Sequence, residues 1–252
     1  KFGIGFVSVF ALRPDAVCVD TGRVGESWRV LFHADRSFTR IRLTDPVEGT
    51  RIQVIKAMTR RQADELTQRV KKALRFYCPH VRIELRFAGE QLNGPLSLAD
   101  PDTGEQPIQV EEREPELHLL IGFTPPGQPD RAGYYNRGLT LLSEPSQLAG
   151  ISFKLDSPRL AHTLSRDAVI KDKFFQQALL RVQRLSSGPL LAHLAATLEA
   201  ELAAAAPLAR LRALQELLAT CWRREPLPAA CQARRCARSA QGELVTLASC
   251  RS

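Results

Sequence analysis

Apolar positions in the first 60 residues mostly alternate rather than recur at helical spacing. "AVCVDTG" (16–22) reads as a buried strand closed by a Thr-Gly turn. "ESWRVLF" (26–32) sets Trp28, Val30 and Phe32 against polar neighbours, the period of a half-buried strand. "TRIRL" (39–43) and "RIQVI" (51–55), separated by the turn "DPVEGT", predict two further antiparallel strands, and the four together read as a meander. The period then changes. In "TRRQADELTQRVKKALRFY" (59–77), Ala63, Leu66, Val70, Leu74 and Tyr77 share one helical face, with Thr59 placed as N-cap. Pro79 stops this helix, and "VRIELRF" (81–87) alternates again as a strand. "AGEQLNGPLSLADPDTGEQP" (88–107) is dense in Gly, Pro, Asp and Asn and marks a boundary.

A second αβ region is expected over 107–187. "ELHLLIGF", "GLTLL" and "ISFKL" are its strands, followed by a helix from about Ser165 or Arg166 to Leu185 that uses Val169, Phe174, Leu179 and Val182. After "SSGP" the chain turns Ala/Leu-rich and helical by propensity over 188–224, interrupted near Pro207. Residues 225–252 show no period and are expected to be a disordered basic tail. The predicted class is α/β, of the α+β kind.

Composition narrows the functional classes. The chain has 252 residues, 44% hydrophobic and 25% charged, which is ordinary globular composition. No run approaches the roughly 20 apolar residues of a membrane helix, and no signal-peptide pattern opens the chain. The expectation is a soluble cytoplasmic protein with reduced thiols. Six cysteines form no CxxC pair, and Cys231 and Cys236 lack a companion pair at zinc spacing, so no metal site is expected. Net charge is +8, but Arg210–Ser252 holds eight arginines against Glu216, Glu225 and Glu243, which concentrates the excess at one end. With only Trp222 there to stack, this argues against a folded nucleic-acid surface.

The candidate chemistry lies in "KFGIGFVSVF". The first turn of a helix carries unsatisfied N–H groups and partial positive charge, and glycine lets backbone approach a phosphate. Gly3 and Gly5 directly ahead of a helical run therefore suggest an anion site; a tight turn packed on a sheet is the plainer alternative.

"KFGIGFVSVFAL" followed by "AVCVDTG", "SWRVLF" and "EGTRIQVI" resembles the 90-kDa heat-shock chaperone family, within the wider GHKL ATPases. The match to the type F-G-x-G-F-x-S is carried by Phe2, Gly3, Ile4, Gly5, Phe6 and Ser8. The resemblance implies that the backbone of Lys1, Phe2, Gly3, Ile4, Gly5 and Phe6 lines the ATP triphosphate, with Mg2+ held through the nucleotide, and that Thr50 helps hold adenine. "YYNRGLTLL" and "LAHTLSRDAVIKDKFFQQAL" resemble the family's middle domain and make Arg166 the arginine that reaches the terminal phosphate. On this likeness residues 1–88 are the C-terminal half of a GHKL ATP-binding sandwich and 107–187 a middle domain, with unfolded client proteins and a homodimer as the family's partners.

The departures are equally specific. The family's general-base Glu, its adenine-binding Asp and its lid precede the glycine loop, so the reading expects a fragment of an ATPase that hydrolyses ATP poorly by itself. The alternative is a non-enzymatic protein-binding module that uses the helical stretch Leu190–Trp222. A sensor kinase would need a phospho-acceptor His on a dimerising helix; His193 is the one histidine in a strongly helical stretch, and it follows the nucleotide motif rather than preceding it.

Overall fold

Each of the four alternating runs near the N-terminus is a strand. The structure, a computed structural model, describes residues 4–23, 25–35, 37–99, 104, 106–163, 168–224, 226–239 and 241–251. It has the mixed αβ fold expected and divides into two units, Lys1–Val70 and Lys71–Ser252.

In the first unit a short helix, α1 (Ile4–Val7), continues as a 3-10 turn over Ser8–Leu12 and ends at Arg13 in a left-handed conformation. Strands β1 (Ala16–Arg23), β2 (Glu26–His33), β3 (Phe38–Arg42) and β4 (Gly49–Ile55) follow. They form one antiparallel sheet in the order β3-β2-β1-β4, which corrects the simple meander: β4 pairs with β1, not with β3. The central place goes to β1, whose Val17 and Cys18 are buried, while every residue of β4 is exposed. The connection over 43–48 is long enough for this: its six residues reach about 20 Å, against the roughly 14 Å of three strand spacings. Large apolar side chains stay open on the sheet, among them Phe38 (65% exposed) and Ile55 (52%).

That connection crosses the end of β1 at close range. The Val47 N–H donates to Ser27 Oγ at 2.8 Å, and a Cβ on Gly22 would lie 1.8 Å from the Val47 carbonyl oxygen. Gly22→Ala is expected to lower stability by about 1–3 kcal/mol through overpacking. Thermal unfolding checks this, and an unchanged Tm would contradict the close approach.

Helix α2 (Arg60–Tyr77) begins in the first unit and ends in the second. Thr59 caps it as expected, in a reciprocal box: its Oγ1 accepts from Gln62 N at 3.4 Å while Gln62 Oε1 accepts from Thr59 N at 2.9 Å. The strand expected over 81–87 shrinks to β5 (Arg86–Phe87), hairpinned with β6 (Glu90–Gln91). The reason is Asn93. Its amide nitrogen donates to the carbonyls of Val81 and Ile83, and its oxygen accepts from Leu85 N, each at 2.7 Å. One side chain thus takes the backbone groups that a neighbouring strand would have paired.

The second unit is built on a five-stranded sheet of β7 (Gln109–Glu114), β8 (Leu117–Phe123), β9 (Arg131–Asn136), β10 (Leu139–Pro145) and β11 (Ile151–Asp156), in the order β10-β9-β11-β8-β7. Only β11 with β9 is a parallel pair. Leu119, Ile121, Phe153 and Leu155 point from one face into a core shared with α3 (Lys173–Ser187), α4 (Pro189–Ala203) and α5 (Leu208–Arg224). Helix α4 is apolar nearly all round, and Leu190, Leu194, Ala195 and Leu198 are fully buried, as expected for a helix enclosed by its own domain. The Leu190–Trp222 stretch therefore spends its main apolar residues inside the unit.

Two expectations are corrected here. Helix α3 starts at Lys173, not near Ser165, because the Asp172 carboxylate accepts the Phe175 N–H at 2.9 Å and caps it there. Val169, placed on that helix by period, instead forms a bridge with His162. The C-terminal segment is also structured over its described residues: α6 (Ala229–Gln232), then β12 (Ala237–Arg238) paired with β13 (Leu244–Val245), then a 3-10 turn over Ala248–Arg251. Leu227, Cys231, Cys236 and Leu247 anchor it in the core at irregular spacing, so no period reveals them. Two of its arginines are engaged within the unit: Arg234 pairs with Glu199 at 2.9 Å, and Arg238 donates to the Leu202 carbonyl at 3.0 Å.

Candidate functional site

Of the residues singled out by sequence, Lys1, Phe2, Gly3 and Arg166 lie outside the described residues. Ile4, Gly5 and Phe6 open α1. Phe6 is fixed by an aromatic cluster: its ring centroid is 5.5 Å from Phe32 and 5.8 Å from Phe10, and Phe10 is 5.6 Å from Phe32. Phe6 and Phe10 thereby attach the segment that contains them to one face of the sheet.

Strand register gives the rest of that face. Phe32 stands opposite Val17, and Val17 opposite Val54. Moving along the strands by steps of two on the same face leads to Val30, Val19 and Ile52, then to Trp28, Thr21 and Thr50. Thr50 and the α1 segment therefore share a face, and Thr50 is set about 13 Å along the strands from the Phe32 row.

The groups on this face have complementary chemistry. Val19 and Ile52 form an aliphatic floor, and Ile52 is 45% exposed. At its end the Thr21 and Thr50 hydroxyls meet at 2.9 Å. Trp28 lies beside them, with the Arg40 guanidinium 4.5 Å over its ring and its Nε1–H donated to Glu26 at 3.4 Å. A flat apolar floor ending in hydroxyl groups suits a heteroaromatic ring with a polar edge.

The reverse face carries a different cluster. Arg29 donates through Nε and Nη2 to both oxygens of Asp20, at 2.7 and 2.8 Å. This hydrogen-bonded guanidinium holds the Asp20 carboxyl below its usual range, while burial pushes the neighbouring Cys18 thiol up. Asp20 and Thr21 are adjacent in sequence yet point to opposite faces, so the Asp20–Arg29 pair braces the sheet from behind the hydroxyl pair. Thr21, Trp28 and Asp20 escaped sequence reasoning, because alternation says which residues share a face of one strand but not which residue of another strand stands opposite.

The second unit holds a further titratable cluster on the sheet face away from its main core. Lys154 Nζ lies 3.0 Å from His80 Nε2, and the His80 ring packs edge-on to Tyr135 at 5.0 Å between centroids. Burial, with the Lys154 charge second, lowers the His80 pKa to about 4, and burial lowers that of Lys154 to about 8. A polar groove of about 990 Å³ beside them mixes Arg82, Arg113 and Arg137 with Glu84, Glu114 and Asp156. Its charges offset one another, and His118 and Arg113 both contact Glu111, at 2.5 and 2.6 Å.

No family model matches this chain, and no curated protein matches it. Among solved structures it is similar to the B-subunit of the DNA gyrase from Myxococcus xanthus, at 14% identity, covering 70% of this chain and 68% of that one, with a TM-score of 0.40. At that identity and score the likeness assigns no family. Among the described residues no helix is long and apolar enough to cross a membrane, and no group of three or more His, Cys, Asp or Glu side chains could hold a metal ion.

Proposed function

We propose that the first unit is the phosphate-loop half of a GHKL-type nucleotide site and that the chain binds ATP through it. One observation carries this reading: residues 6–10, fixed through the Phe6 and Phe10 rings on Phe32, lie on the same sheet face as Thr50. The adenine would rest on Val19 and Ile52 with its polar edge at Thr50, and the backbone of residues 1–6 would take the phosphates. Bound Mg2+ would neutralise phosphate charge. The finer reading is a chaperone-like ATPase of the 90-kDa heat-shock type, with domains at 1–88 and 107–187 and Arg166 stabilising charge on the terminal phosphate. In that family the general base lies upstream of the glycine loop. Binding is the property of this reading that the described face speaks to, and it is the one to measure.

Calorimetric titration of the whole chain with a non-hydrolysable ATP analogue tests this. Saturable binding is expected, weakened about tenfold, or about 1.4 kcal/mol, in the Gly3→Ala/Gly5→Ala variant, since side chains there keep the backbone from the phosphates. A folded chain that takes up no nucleotide would remove the proposal.

A further inference from the structure

The Thr21–Thr50 contact is a cross-strand hydroxyl pair on the face of the proposed site. Both residues stand on a sheet face that remains accessible, where each hydroxyl could be satisfied by water, yet they bond to each other at 2.9 Å across the β1–β4 pair. Their backbones are locked opposite one another by the antiparallel register, and Trp28 occupies the position opposite Thr21 on its other side. A threonine side chain has little rotamer freedom in a strand, so the pair is pre-organised by its own stiffness. A hydroxyl has one proton to donate and two lone pairs. When Thr21 donates to Thr50, the Thr50 proton is left to donate to a ligand acceptor. When Thr50 donates to Thr21, its oxygen is left to accept from a ligand N–H.

We infer that Thr21 is a positioning residue for the base-recognition group of the nucleotide site: it aims the Thr50 hydroxyl and lets it present either a proton or a lone pair to the polar edge of a purine. The inference rests on the nucleotide reading above and extends it to a residue that need not touch the ligand. A purine edge that offers a ring-nitrogen acceptor beside an amine donor can be met by either arrangement, so the pair serves that edge whichever atom faces it.

A double-mutant cycle on the full chain tests this, with the same non-hydrolysable ATP analogue and, in parallel, thermal unfolding. Thr21→Val keeps shape and removes the hydroxyl; Thr21→Ser keeps the hydroxyl. Thr50→Val is expected to weaken binding about tenfold, and Thr21→Val about three- to tenfold, in line with loss of one hydrogen bond. Thr21→Ser should bind within about twofold of the parent. The double variant should bind no more weakly than Thr50→Val alone, because Thr21 acts only through Thr50. A purely structural role would lower Tm in Thr21→Val and leave affinity unchanged, or would give additive losses; either result overturns the inference while leaving nucleotide binding intact. A folded parent chain with no affinity for the analogue refutes the nucleotide reading, and the role of Thr21 falls with it.

Discussion

Gly138→Ala is expected to be among the most damaging single substitutions in the second unit, lowering stability by about 2–5 kcal/mol. Gly138 and Arg137 are the two central residues of the β9–β10 hairpin, and both have positive φ, +79° and +53°. This is the two-residue turn whose twist suits antiparallel strands. An alanine in the left-handed region costs about 1–2 kcal/mol. The larger effect is steric: a Cβ there would lie 1.9 Å from the His80 carbonyl oxygen and 2.6 Å from Val81 N, both main-chain atoms. Overpacking of this kind adds about 1–3 kcal/mol. The Gly138 N–H also donates to Asp156 at 3.1 Å, so the turn cannot retreat without losing that bond. Gly127→Ala is the comparison, since Gly127 also has positive φ (+82°) but nothing near its missing Cβ. In urea unfolding the Gly138 variant should lose clearly more than the Gly127 variant. Equal losses would mean that His80 does not press on the turn.

Acid should weaken the second unit through the same histidine. The ring is neutral in the fold because burial and the Lys154 charge oppose its protonation, which moves its pKa from 6.5 to about 4. A depressed histidine pKa means that the unfolded chain binds more protons between those two values. The stabilising contribution is therefore complete above pH 6.5 and is lost as pH falls through 4. The full shift corresponds to about 3 kcal/mol, and solvent reaching the partly covered ring reduces this to about 2 kcal/mol. Groups facing His80 include Lys154 on β11 and His118 on β8, whose charges oppose its protonation, and the carbonyls of Gly94 and Pro95, which favour it. Denaturant unfolding at pH 7 and pH 4 should show a fall in stability about 2 kcal/mol larger in the parent than in His80→Gln, whose amide oxygen can still accept from Lys154. Identical pH profiles for the two proteins would show that His80 does not carry this dependence.

What was legible in the sequence was local. Strands β1 to β4, the Thr59 cap, the break at Gly188–Pro189 and the interruption at Pro207 all follow from periods, caps and breakers acting over a few residues. The strand at 81–87 and the start of α3 were misread because Asn93 and Asp172 each redirect backbone hydrogen bonds with one polar side chain, an event that leaves no mark in the hydrophobic pattern. The buried C-terminal segment was missed for a related reason: Leu227, Cys231, Cys236 and Leu247 find their places on an existing core and need no period of their own.

The candidate site divides along the same line. The sequence by itself put the candidate chemistry on offer, through the glycines of "FGIGF" and the threonine in "EGT", although Gly5, expected ahead of the helix, stands inside α1. Only the tertiary structure decided that β4 crosses to the far edge and pairs with β1, which puts Thr21 and Thr50 hydroxyl to hydroxyl. Pairing register is a long-range choice, set by which strand buries the most apolar surface and by how far a loop can reach. Alternation along a single strand cannot record it.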